Sequence, residues 1–337
     1  MSEKNKQTST IEGNEKPTSQ DFSFEAIILA AEKMDGTRPE VTNLTDKNRV
    51  DSLNREFEKK ISMTDAKLGK VLEYTFYSIS DSLLDAGNSN YKVRTGRSSE
   101  FDDINHGADI LVGIENSDGV VAQMAIDTTW NEAAIPSKLQ KRSNYLGGLP
   151  KGLTPIKYQN KTVTPDTVGT QVVPRLVVGL EKENAVDFTR DVFIQQSGME
   201  LPQDEQAYVL SVRKNLLEEM SLQALGMRHA MESDDKATAE MKKQIAFQSV
   251  YLNAVLAKTL LRIDLYDKNP KNEYKVGSMR SDFHNKLLAE TSRYYGIHPN
   301  SAIESAKKRA KQILDKRNAK LGEKAASSAI PTGDADS

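Results

Sequence analysis

Apolar positions recur at helical spacing twice before residue 90. Phe24, Ile27, Ile28 and Ala31 share one face, which predicts a short helix over Phe22–Ala31, with a linker around Gly36–Pro39 after it. Leu68, Val71, Leu72, Phe76, Ile79 and Leu83 make a longer stripe at i, i+3, i+4 spacing. That stripe predicts a helix over Thr64–Leu84, with Thr64 as its N-cap and Gly87 beyond its end. The pattern then turns strand-like. Tyr91–Thr95 is short and β-prone, and Ala108–Glu115 and Val120–Thr129 are nearly continuous apolar runs. The Asn-Ser-Asp-Gly between the two runs is a four-residue connection of hairpin-turn residues. Pro136 suits the first turn of a further helix ending at Gly147-Gly148. Pro174 leads into R-L-V-V-G-L, a buried type of strand, and Ala185–Ser197 is an amphipathic helical pattern.

From Pro202 onward the pattern is helical only. Gln203–Met231 and Ala237–Tyr266 predict two long antiparallel helices joined by a polar connector, and Asp282–Tyr295 and Ser301–Leu321 predict two more. The expected organisation is a tail over 1–20, a helical segment and linker over 21–63, an α/β core over 64–200, a helical region over 201–324 and a second tail over 325–337. The tails are polar and poor in apolar residues, the composition of chain that cannot bury a core.

The chain has 337 residues, 46 Lys and Arg against 48 Asp and Glu, and no cysteine. Disulfides, thiolate zinc sites and cysteine nucleophiles are therefore excluded. No apolar run approaches the ~18 residues of a membrane span, and Met1–Gln20 lacks the apolar stretch of a secretory signal, so a cytoplasmic protein off the membrane is expected. The net charge of −2 is an average over opposed regions. Ser305–Lys324 carries eight Lys and Arg (among them Lys307, Lys308, Arg309 and Lys311) against two acids, a net +6. Such a helix suits phosphate-backbone contact, or serves as a solubilising terminal helix.

Ser98–Ser137, by contrast, holds eight carboxylates and no Lys or Arg. Asp109 begins one apolar strand and Asp127 ends the next. In an antiparallel hairpin turning at 116–119 the two fall close to opposite each other. Two adjacent carboxylates repel. A hard cation such as Mg²⁺ or Mn²⁺ would relieve that repulsion, and oxygen ligands suit it. The alternative is that one carboxylate faces solvent while the other caps a helix. Asp103 is either a further ligand or, with Asp102, part of a capping loop. Trp130 is either a stacking platform for a base or a packing anchor.

The order helix, strand, hairpin, helix, strand, together with these acids, resembles the restriction-endonuclease-like PD-(D/E)XK nuclease superfamily over about residues 64–180. The resemblance implies an α-β-β-β-α-β core, here with a C-terminal helical appendage built on a long hairpin. It implies a metal-binding hydrolase acting on nucleic acid, DNA or RNA. Glu73 in K-V-L-E-Y matches the acid of the first helix, Asp109 in H-G-A-D-I-L-V the acid of the second strand, and Asp127 in A-I-D-T-T the acid of the third. Thr129 stands where the family's lysine would be. In some members a lysine from a neighbouring helix takes that place, and Lys138 and Lys141 lie one turn apart on the next helix. The string S-x-E-F-D-D-I-x-x-G-A-D, with A-I-D-T-T and V-P-R-L-V-V-G, is also similar to an uncharacterised bacterial group of that superfamily with an I-D-V-T strand. The resemblance therefore implies Mg²⁺ or Mn²⁺ held by Asp109, Asp127 and Glu73, with Asp103 beside them, and Lys138 or Lys141 orienting water. Two other readings stay open. One is an inactive member of the fold that binds nucleic acid or protein. The other is an assembly protein that pairs with itself or a partner through the hairpin, using Met220, Met227, Met231 and Met241 as an adaptable surface.

Overall fold

The computed structural model describes residues 26–29, 38–60, 62–85, 90–141, 148–163, 169–276 and 281–328. The first tail, Gly36, Gly87 and Gly147 lie outside the described residues. So does all of the Phe22–Ala31 helix except 26–29, which is helical.

A polar helix α1 (Leu44–Lys60) precedes α2 (Met63–Leu83). Then come β1 (Lys92–Arg97), α3 (Glu100–His106), β2 (Ile110–Asn116), β3 (Gly119–Thr129), α4 (Ile135–Gln140), β4 (Leu153–Ile156) and β5 (Gln171–Gly179). The helices α5 (Lys182–Gln196), α6 (Gln203–Glu232), α7 (Ala239–Lys268), α8 (Asp282–Tyr295) and α9 (Ser301–Ser328) complete the chain. The result is an α/β fold with one mixed sheet, in the order β1-β2-β3-β5-β4. β1, β2 and β3 form an antiparallel meander, β5 runs parallel to β3, and β4 is antiparallel to β5.

Several details differ from the sequence expectations. Ser62, not Thr64, caps α2 by accepting from the Asp65 N–H at 3.1 Å. The β2–β3 turn is two residues, Ser117 and Asp118, because Asn116 already pairs with Gly119. The helix begun by Pro136 ends at Gln140, since Lys141 leaves the helical region at ψ 104°. α9 continues into the expected second tail as far as Ser328. Three elements were not expected at all: α1, α3 and β4. α1 carries a sparse stripe, Val50, Leu53 and Phe57 at i, i+3, i+7, within a strongly polar sequence, and α3, at seven residues, is too short to show a period. β4 contains Pro155, which marks it as an edge strand.

A single apolar cluster runs from Leu72 and Phe76 of α2, through Ile110, Ile126 and Val178 of the sheet, to Phe188, Leu216 and Leu252 of the helices. The α6–α7 hairpin therefore lies on the sheet. Met220, Met227 and Met231 are buried in this cluster and Met241 packs half-buried against it, so the methionines serve packing, not an exposed adaptable surface.

β5 outruns its outer neighbour. β4 pairs only as far as Pro174, and beyond it Arg175 donates its N–H to the Gly152 carbonyl at 2.8 Å. Side chains of α6 then continue the ladder. Gln223 accepts from the Val177 N–H at 2.7 Å and donates back to the Val177 carbonyl at 2.5 Å. One turn earlier Glu219 faces the Gly179 N–H at 3.4 Å, and His284 of α8 bonds the other Glu219 oxygen at 2.7 Å. Residues four apart on a helix thus stand in for a missing strand.

Candidate functional site

The site is assembled where the middles of α2 and α3 meet one end of the meander. Ser99 caps α3, and Gly107 ends it in the left-handed region at φ 64°. A side chain at Gly107 would collide at 2.7 Å with both the Arg175 guanidinium and the Asp127 carboxylate, so the chain can pass here only as glycine. Just beyond, the Asp109 N–H donates to the Ile126 carbonyl at 2.9 Å, continuing the β2–β3 register that pairs Ile110 with Ile126. Asp109 and Asp127 are therefore cross-strand neighbours, as their spacing implies.

Their carboxylates have different partners. One Asp109 oxygen accepts from the Thr128 N–H at 2.6 Å and the Thr128 hydroxyl at 2.7 Å. Glu73, Asp103 and Asp109 each offer an oxygen within 4.8 Å of the others. Asp127 lies outside this group. It is almost fully buried between two cations, bonding Lys138 through one oxygen and Arg175 at 2.9 Å through the other. Of the four acids singled out in the sequence, the structure thus brings Glu73, Asp103 and Asp109 within reach of one another, while Asp127 is engaged by Lys138 and Arg175.

The trio is electrostatically crowded. Burial, then the Asp109 charge, push Asp103 well above the usual carboxylate range. Burial alone would raise Asp109 too. The Lys138 charge, then Asp103 and the bonds from Thr128, outweigh it and hold Asp109 low. The two carboxylates therefore titrate as one coupled pair, Asp103 upward and Asp109 downward. Lys138 also donates to the Thr128 carbonyl at 2.8 Å. Burial would lower it, but the charges of Asp127 and Asp109 hold it above the ordinary lysine value, fully charged. Lys141 sits further out, donating to the Ile104 carbonyl at 3.2 Å, and burial lowers it.

Arginines that the sequence reading did not single out complete the site. Arg38, before α1, reaches Glu73 at 3.2 Å and Asp103 at 3.0 Å, and Arg97 at the end of β1 reaches the same Glu73 oxygen at 2.5 Å. Arg175 carried a signal: it is a cation within the apolar run V-V-P-R-L-V-V-G, and a buried arginine requires an acid; Arg97, in T-G-R-S-S, carried no such signal. Arg38 carried none. Asp102 is structural. It is buried and accepts from the Lys157 and Tyr158 N–H groups at 2.8 and 3.0 Å, while Lys157 and the Tyr158 hydroxyl clasp Asp46 of α1. This clasp holds α1 beside a cleft of about 660 Å³ lined by Arg38, Glu73, Asp103 and Trp130.

The basic residues of α9 lie elsewhere. Lys308 and Arg309 line a separate groove against α7, and Lys307 and Lys311 do not line it. Among the described residues no helix is long and apolar enough to cross a membrane. Comparison of the chain with protein-family models, with curated proteins and with solved structures finds no match.

Proposed function

We propose that this chain is a Mg²⁺- or Mn²⁺-dependent phosphodiesterase acting on nucleic acid, on a restriction-endonuclease-like core. The observation that carries the reading is the convergence of Glu73, Asp103 and Asp109, from three separate elements, at the end of an antiparallel meander continued by a parallel strand. The donor set fits the ion: three carboxylates, hard oxygen ligands with no nitrogen or sulfur among them. A bound ion would polarise the phosphoryl group and activate water. Asp109, fixed by Thr128, would hold the ion together with Glu73 and Asp103. Lys138, anchored by Asp127, supplies the fixed positive charge that Thr129 cannot, beside Asp109, where negative charge develops on the phosphate. Lys141, lowered and further out, supplements that field.

The test is cleavage of labelled single- and double-stranded DNA and RNA by the purified chain with Mn²⁺ or Mg²⁺. Cleavage should appear with metal, disappear with chelator and fall at least a hundredfold in Asp109→Asn. The reading is overturned by no cleavage of any substrate, or by Asp109→Asn cleaving like wild type.

One observation favours a second reading, an inactive member of the fold. The Arg38 guanidinium bridges Glu73 and Asp103 and so neutralises the trio without a metal. In that case calorimetric titration with Mn²⁺ would show no binding that depends on Asp109.

A further inference from the structure

We propose that the groove between α7 and α9 is a binding site for single-stranded nucleic acid, separate from the carboxylate trio. The groove encloses about 900 Å³. Its aromatic side is built from Tyr91, just before β1, and from Phe247 and Tyr251, one turn apart on α7. The ring centroids of Tyr91 lie 5.6 Å from Phe247 and 5.9 Å from Tyr251, with Phe247 and Tyr251 6.0 Å apart. Tyr91 and Phe247 are half-buried, so each ring is braced by the other two while still reaching the groove.

The walls carry Lys258, Lys308, Arg309 and Lys316, and no carboxylate is among the described lining residues. Arg309 is spent on the Val250 carbonyl and Lys258 faces Asp85 at 3.5 Å. Lys308 and Lys316, two turns apart on one face of α9, have no ion-pair partner among the described residues. In a chain with slightly more acids than bases, a concave surface with four cations and no acid is matched to a polyanion.

The chemistry of the floor narrows the choice. Packed aromatic rings in a cleft are reached by unstacked bases, which stack on them whatever their sequence, while the cations take the phosphates. Bases in a duplex are already stacked and its backbone is convex, so it would meet only the rim. The groove lies one strand length from the trio: Tyr91 is at one end of the edge strand β1, and Arg97, which is buried and holds Glu73, is at the other, about 20 Å away at ~3.3 Å per residue. Its use as a substrate guide rests on the phosphodiesterase reading, whereas binding in the groove requires neither metal nor turnover.

The experiment is fluorescence anisotropy of a labelled single-stranded oligonucleotide with the full chain in chelator, across a salt series. Lys308→Gln with Lys316→Gln removes charge from an exposed face, and Tyr91→Leu keeps apolar volume while removing the ring. Circular dichroism melts establish that each variant is folded. Expected are salt-sensitive binding by wild type, at least tenfold weaker binding by the lysine pair, and at least fivefold weaker binding by Tyr91→Leu. The slope of log K against log salt should be shallower by about 1.4 in the lysine pair, at ~0.7 per lost phosphate contact on a single strand. The proposal is overturned if wild type does not bind, if folded variants bind equally well, if duplex binds more tightly, or if poly-glutamate outcompetes the oligonucleotide, which would mark a docking site for an acidic protein. Groove binding without cleavage in any metal would count against the phosphodiesterase reading alone. Cleavage with unaltered binding in the variants would count against the groove alone.

Discussion

Replacing Arg38 by alanine should tighten metal binding. The guanidinium bonds Glu73 at 3.2 Å and Asp103 at 3.0 Å, so an ion seeking both carboxylates must first displace it. A hydrogen bond to a charged group contributes about 1.5–3 kcal/mol. The two bonds are not additive, and the Arg38, Glu73 and Asp103 side chains retain 15%, 17% and 24% of their exposure, so water recovers part of the loss. A net competition of about 2 kcal/mol is the resulting figure, and at 1.4 kcal/mol per tenfold it corresponds to about a 30-fold change in Kd. Arg97 still holds Glu73 in the variant, so the trio stays in place. Calorimetry with Mn²⁺ on wild type, Arg38→Ala and Arg38→Ala/Asp109→Asn reads this directly. Tighter binding in the single variant, lost in the double one, is expected. Unchanged or weaker binding in a folded Arg38→Ala protein would refute the reasoning, because it would mean that the arginine does not compete for the ligand oxygens.

Asp127→Leu should destabilise the fold by about 3–5 kcal/mol in urea, because it strands the buried Arg175 beside the Lys138 ammonium. Adding Arg175→Met should recover part of that loss, and a double variant no more stable than Asp127→Leu would contradict this. Gln223→Leu should cost about 2–4 kcal/mol by leaving the Val177 N–H and carbonyl without their side-chain partner, and a urea midpoint like that of wild type would count against it. His106 is pushed down to about 4, first by burial and then by the Lys141 charge, from its ordinary 6.5. A histidine lowered on folding contributes stability that is complete above pH 6.5 and is lost as pH falls toward 4. Wild type should therefore lose up to about 3 kcal/mol relative to His106→Asn over that window, read from urea unfolding at several pH values. Parallel pH profiles would refute it.

What could be read in advance follows the physics of each segment. Strands buried on both faces announce themselves as apolar runs, so β2, β3 and β5 and the opposition of Asp109 to Asp127 were visible before any coordinates. The helices from 203 to 295 were visible because each repeats its apolar stripe over several turns. Side-chain direction was not visible. Whether Asp127 turns toward Asp109 or toward Lys138 and Arg175 depends on cations brought in from α4 and β5, one of them 48 residues away. Arg38 lay beyond reach too, because a polar segment without period gives no sign of where it docks.

The closure of β5 by Gln223 and Glu219 also bears on how the chain can be divided. A fragment ending near residue 200 would keep every strand yet expose two Val177 backbone groups and the Gly179 amide as a naked sheet margin. Such a margin recruits another copy's strand, so the shortened protein should self-associate through an edge that the whole chain covers. The helical half thus acts as a built-in chaperone for the sheet, and a boundary that looks natural in the sequence is a poor place to cut.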